Sequence, residues 1–490
     1  MSFSKLFKLV AVCFSITLFG FFACRQNNEQ TFVENNFAYE DIPPGFDYPA
    51  DENVLIGFVD QENRKAMREH AWNLWAGITA PSKSTVGNQN IPIFETWYSA
   101  IEVFDDHYRN NNLHQENRLL KHKFEVPRQS VHLRSLTGDG RIAPVMSFVK
   151  YNQAAANFIW DNNYYLKSTL VGLNDSFNKN NTPRERREIK PFPRTAIVLK
   201  VVFWLVKNPV SQQSENGLTA LPFWDPNYPP PPDGQLPTHD TWTKCVAVDP
   251  AGKYPANSKQ TINCNGAKEN PRRVQAEVLG LNRFYSYRLN SEEDVEDAAN
   301  FLKMMSGASG KEERLVSNTG QTPEMGDYII LTAMHVTTKE MDNWTFQTFW
   351  WSPEPDASPH GDFRTSNIKG EWRNYQMCTA YDMVTPKMPD GFPNVCFNPY
   401  LENDLGPTQP YVIGTKKYPA DPMAGTKTNC MSCHVRAGFP AFDKNNSASA
   451  NFGRVFNEGF ISPDDPIFSE ITKTDFLWSV AIHSQPQDKK

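Results

Sequence analysis

Residues 430–434 read Cys-Met-Ser-Cys-His, and no other feature constrains this chain so strongly. The spacing C-x-x-C-H puts two thiols on one helical turn with an imidazole directly behind them. This is how a c-type haem is attached. Each sulfur forms a thioether to a vinyl group at the porphyrin edge, and the histidine donates a ring nitrogen to the iron. With 8 Cys and 10 His among 490 residues, chance supplies about 0.003 such motifs per chain. Two plainer readings compete. A thioredoxin-like pair belongs in a βαβ unit, which the flanking sequence lacks. Half of a zinc site needs further ligands, and the region 425–482 holds no Cys or His outside the motif. Cys430 and Cys433 are therefore the expected thioether residues of one covalent haem c, with His434 as the axial ligand on its proximal side.

The start of the chain agrees with this. Residues 1–23 read as an export signal, with Lys5 and Lys8 at the charged end. The apolar stretch from Leu9 to Phe22 is short for a membrane span. Ala23 then precedes Cys24, and polar sequence follows at once. A small residue before such a cysteine resembles a bacterial lipobox and implies lipid on Cys24, although Phe21 stands where Leu is usual. The alternative is an ordinary secretory signal. Either way the protein is exported, and bacterial haem c is attached outside the cytoplasmic membrane. The expected location is the periplasm, anchored at the outer membrane through the lipid.

Composition narrows the partners. The formal net charge is −6, and two more positive charges leave with the signal. No basic stripe is visible, so nucleic acid is not an expected partner. The 12 Trp, 17 Tyr and 33 Phe can fill a large core. Cysteine usage closes as well. Cys13 leaves with the signal, Cys24 takes lipid, and Cys430 and Cys433 take haem. Cys245, Cys264, Cys378 and Cys396 remain, an even number in an oxidising compartment. Three pairings exist, and short loops favour Cys245–Cys264 and Cys378–Cys396. Buried free thiols are the alternative.

Four segments follow from the pattern: a signal over 1–23, a tether over 24–50, an aromatic-rich α+β domain over 51–370 and a haem-binding region over 371–490. Within the large domain, 60–78 reads as a helix with Asp60 as its N-cap, and 153–173 as a second. The period changes at Thr195-Ala-Ile-Val-Leu-Lys-Val-Val-Phe-Trp-Leu-Val206, a buried strand. Residues 218–224, 242–248, 327–336 and 345–351 also read as strands, and 292–306 as a helix. Residues 226–233 are a proline-rich connector. From about 371 prolines dominate until a haem helix at Asn429, and 469–480 suits a closing helix. The expected class is α+β, with a β-sandwich-like large domain and a mainly helical, cytochrome c-like C-terminal module.

The segment from Cys396-Phe-Asn-Pro-Tyr-Leu-Glu402 to Asn429-Cys-Met-Ser-Cys-His434 resembles a family of large bacterial single-haem c-type cytochromes. Phe94-Glu-Thr-Trp-Tyr98, Leu221-Pro-Phe-Trp-Asp225 and His335-Val-Thr-Thr-Lys-Glu340 leading to Trp350-Trp351 extend the likeness over most of the mature chain. The resemblance implies a class of protein and no particular reaction.

The second iron ligand decides what such a haem does. A six-coordinate iron moves electrons, whereas an open position permits chemistry. No methionine follows Met431, so the usual downstream partner is missing. His335 in its strand, His483 near the chain end, and Met383 between Met377 and Met388 are the candidate distal ligands. A strand histidine, a terminal histidine and core methionines each have ordinary structural uses. Other constellations carry less. Lys339, Glu340 and Asp342 read as a charged turn after a strand. Glu95 and Glu102 beside Trp97 and Tyr98 resemble a sugar cleft only loosely. Arg184 to Glu188 is a self-compensated patch. The expected function is periplasmic electron transfer with a redox partner protein or a small-molecule donor or acceptor. The alternatives are a haem oxidoreductase with an open distal position and a substrate pocket in the large domain, and an extracellular ligand-binding protein with structural haem.

Overall fold

In the computed structural model, residues 38–86, 89–105, 146–227, 239, 242–265, 271–307, 322–385, 392–402, 411–413, 416–418, 428–441 and 460–484 are described. The signal, Cys24 and Met388 lie outside them. Helices α1 (Glu52–Asp60), α2 (Arg64–Ile78), α3 (Ala100–Phe104), α4 (Gln153–Asp161), α5 (Lys167–Lys179) and α6 (Glu292–Gly307) accompany two larger sheets and several two-stranded pairs. The larger sheet holds β1 (Tyr98–Ser99), β2 (Met146–Tyr151), β3 (Ile197–Val206), β8 (Ser286–Arg288), β9 (Tyr328–Thr338), β10 (Thr345–Trp351) and β11 (Tyr375–Ala380). The smaller holds β4 (Thr219–Pro222), β5 (Cys245–Asp249), β6 (Lys259–Asn263) and β7 (Arg273–Gly280). The class is α+β.

The large sheet runs β11-β10-β9-β3-β2-β1, antiparallel throughout, with β8 also paired to β9. Its centre is the apolar run at β3, which the sequence marks clearly because both faces are covered. One face receives α2, where Trp75 stacks on Phe349 at 4.3 Å and meets Tyr375 at 5.0 Å between ring centres. The other face receives the C-terminal segment. The small sheet runs β4-β5-β7-β6, with the β5–β7 pair parallel.

Several expectations shift by a turn or more. Asp60 ends α1 rather than starting a helix. The N-cap of α2 is Asn63, whose side chain accepts from the Ala66 N–H at 3.1 Å. The helix expected over 153–173 is two helices, parted where Asn163 takes a left-handed φ of 55°. The closing helix is shorter: only α8 (Trp478–His483) forms, because Asp475 and Phe476 both sit at positive φ. Among its described residues the C-terminal region packs onto the large sheet. Its first strand, β11, is the edge of the large sheet. Its described remainder holds α7 (Cys430–His434), α8 and short strands, including the pair Gly438–Phe439 and Thr472–Lys473.

The cysteines divide. Cys378 and Cys396 are joined as the short-loop pairing expects. Cys245 and Cys264 are two unbonded buried thiols, a correction to the second expected disulfide. They lie in the small apolar cluster of the four-stranded sheet with Leu218, Ala247 and Ile262. A mutual hydrogen bond, reinforced by burial, pushes the Cys245 thiol far up and keeps it protonated.

Candidate haem-attachment site

The motif forms one short helix, α7, and its local sequence explains why. Asn429 is extended and N-caps the turn, its side-chain oxygen accepting from the Ser432 N–H at 3.0 Å. The other end of that amide donates to the Asn394 and Asp382 carbonyls at 2.8 and 3.3 Å. One buried side chain thus starts the helix and ties it to the loop after β11. Cys430 and Cys433 are unbonded to each other and half-buried. Burial and then Glu402 raise the Cys430 thiol well above its ordinary value. The Cys433 thiol is also raised, chiefly by burial.

His434 is held in one tautomer. Its Nδ1 lies 2.8 Å from the Phe476 carbonyl, which can only accept, so Nδ1 carries the proton and Nε2 keeps its lone pair. Burial, opposed by the Phe476 carbonyl and aided by His335 and Lys200, pushes its pKa down to about 4. Metal-binding histidines usually donate their second nitrogen to a carbonyl or carboxylate in this way.

The Phe476 carbonyl is itself held. Asp475 and Phe476 occupy the left-handed region at φ 46° and 65°. That conformation is unfavourable for phenylalanine, and the surroundings have to impose it. Asp475 accepts from Lys339 Nζ at 2.6 Å and from the Phe192 N–H at 2.8 Å. Lys339 directly follows β9, so the strand bearing His335 also braces the turn behind His434. The Lys339 and Glu340 pair seen in the sequence is structural. Glu340 is buried and accepts from Thr338 and from the Ala50 N–H.

The sheet supplies the opposing wall. Lys200, His335, Thr348 and Cys378 are register partners across β3, β9, β10 and β11, so they form one row on one face. A bulge between Leu331 and Ala333 sets that register; without it His335 would lie opposite Leu199 and face the other way. The C-terminal segment covers this row. Cys378 is bonded to Cys396, Thr348 accepts from Asn398 Nδ2 at 2.7 Å, and Phe346, in the next row, packs on the His434 ring at 4.9 Å. His335 Nε2 lies 2.9 Å from Glu402 Oε1, both side chains being partly exposed at 21% and 14%.

The other candidate ligands are placed differently. Met383 is buried beside the Asn429 anchor, its own carbonyl accepting from the Asn394 N–H at 3.0 Å. His483 packs on Phe104 at 5.5 Å, at the far end of the helix whose first residue, Trp478, donates to the Cys433 carbonyl. Met377 faces the core beneath α2 and Met431 is fully buried. Glu95 pairs with Lys150 at 3.6 Å, while Glu102 closes a capping box on Ser99, so the two acids do not form a cleft.

Among the described residues, no three His, Cys, Asp or Glu side chains converge as a bare metal ion would require. The donor set fits haem c: two unbonded thiols on one turn and one half-buried neutral imidazole with its second nitrogen unprotonated. Glu402, Lys200 and Asp475 have no role in the sequence reading, and Lys339 enters it only as part of a charged turn. The only trace is a lone lysine inside the apolar run at β3. No described helix is long and apolar enough to cross a membrane. No family profile, curated protein or solved structure matches this chain.

Proposed function

We propose that this chain is a periplasmic electron-transfer protein carrying one covalent haem c, held at the outer membrane by lipid on Cys24. In this reading Cys430 and Cys433 hold the porphyrin, His434 ligates iron, and a redox protein or small-molecule donor or acceptor exchanges electrons with it. The β-sandwich-like large domain and a cytochrome c-like haem region belong to the same reading. The observation that carries it is His434, half-buried and neutral with Nδ1 given to the Phe476 carbonyl. When bound, the haem supplies one-electron oxidation and reduction at its iron. The chain keeps Nε2 unprotonated, covers the site with Phe346 and fixes the ring through the braced turn at Asp475. Expression with a haem-attachment machinery should give coloured protein whose intact mass includes the porphyrin. Colourless protein of unmodified mass would end the reading.

A second reading, a haem oxidoreductase with an open iron position, is favoured by the contact between His335 and Glu402. His335 can ligate iron through Nε2 only if that contact opens. Carbon monoxide added to the reduced protein separates the two. Electron transfer through a ligated iron predicts no fast binding in the wild type and fast binding in His335→Ala, with a shifted α-band. An open position predicts fast binding in both.

A further inference from the structure

Cys430 does not only face a cofactor. Its sulfur lies 3.9 Å from Cys396 Sγ and 3.4 Å from the Cys396 carbonyl. Cys396 is at the same time bonded to Cys378. The approach is built into the backbone. The Cys396 N–H donates to the Thr428 carbonyl at 2.9 Å, Cys396 and Asn429 form a parallel bridge, and Asn429 donates to the Asn394 carbonyl at 2.8 Å. Three clamps hold 394–396 against 428–430, so the third sulfur stays beside the disulfide.

We propose that Cys378, Cys396 and Cys430 form a thiol–disulfide exchange site that controls whether the chain can accept haem. The Cys430 thiolate attacks Cys396 Sγ. The Cys396–Cys430 bond forms as the Cys378–Cys396 bond breaks, and the Cys378 sulfur leaves as thiolate and takes up the proton that Cys430 lost. One disulfide replaces another, so no oxidant or reductant is consumed. Only the isomer with Cys378–Cys396 joined offers both motif thiols for attachment. Capture of Cys430 as a thioether then removes the attacking group and makes the Cys378–Cys396 bond permanent. The exchange stands on the sulfur geometry, and its consequence for attachment rests on the haem reading.

The full chain, made without haem-attachment machinery, is held at pH 9, quenched in acid, alkylated and digested. Peptides joining Cys396 to Cys430, with Cys378 alkylated, should make up about a tenth or more of the cross-linked material. Cys378–Cys396 as the sole cross-link, or a Cys430–Cys433 bond in its place, would overturn the proposal. A second measurement uses haem content after expression with the machinery. Cys378→Ser leaves Cys396 free to be oxidised with Cys430 by the disulfide-forming catalyst of the export compartment, and should hold roughly threefold less haem than Cys378→Ser/Cys396→Ser, which lacks the same cross-link. Equal haem in the two would also overturn it. A wild-type chain without haem would end the haem reading, and the peptide map would still decide the exchange.

Discussion

Asn429 does more than its place beside the motif suggests. It caps α7 with its oxygen and binds two carbonyls with its nitrogen, all while buried. Asn429→Ala should destabilise the protein by about 2 kcal/mol, the sum of a lost cap and unpaired buried carbonyls. Asn429→Asp keeps the acceptor and should recover part of that in urea titrations; equal losses would show that the cap contributes nothing. His239 is a second buried residue whose effect depends on pH. Its ring is enclosed by Trp242, Tyr400 and Trp204, and burial pushes its pKa down to about 3. The unfolded chain takes up a proton near pH 6.5 that the folded chain refuses, so this contribution is complete above 6.5 and falls as the pH drops toward 3. The slope is about 1.4 kcal/mol per pH unit. Comparing urea midpoints at pH 7 and pH 5 should show His239→Gln losing less than the wild type on acidification.

At the scale of elements, β9 links the segment around the Cys430–His434 motif to the rest of the fold. It carries His335 in the covered row, and Lys339 just beyond its end holds the turn that faces His434. Lys339 and Asp475 are both buried, so removing one partner leaves an uncompensated charge. Lys339→Met should cost about 3 kcal/mol, whereas Lys339→Met with Asp475→Leu should cost less than the two single changes together. Strict additivity in that double-mutant cycle would mean the pair has no coupling. The chain beyond the motif is fastened by α5, where Asn174 binds the Glu470 carbonyl and the Thr472 hydroxyl, and by Arg187, which binds the Ile471 carbonyl. These contacts hold the short pair Gly438–Phe439 and Thr472–Lys473 in place and so keep α7 near the Phe476 carbonyl.

Considered whole, the molecule lays the segment bearing the Cys430–His434 motif across a sheet rather than hanging it from a linker. The Cys378–Cys396 bond spans 18 residues and joins the edge strand to that segment. Cys378→Ser/Cys396→Ser should lower stability by about 3 kcal/mol. Hydrogen exchange should rise over 396–402 and 428–437 while the β3–β9 ladder stays protected. Uniform loss of protection would show that the segment and the sheet unfold as one unit. The arrangement also accounts for the size of the chain around a single motif, because the wall facing His434 is assembled from β3, β9 and β10.

The sequence alone determined the strongly local features. The Cys430 to His434 spacing, the apolar run of β3 and the strands at 327–336 and 345–351 all depend on residues near one another in the chain, whereas loop length alone did not separate the Cys378–Cys396 pair from Cys245 and Cys264. Period and motif spacing act over a few residues and leave a visible pattern. Tertiary structure alone decided that Lys200, His335, Thr348 and Cys378 share a row and that Glu402 meets His335. It alone decided that a carbonyl 42 residues after His434 fixes its ring. Strand register, one bulge and a two-residue left-handed turn set those meetings, and each depends on pairing between distant segments that no local pattern records.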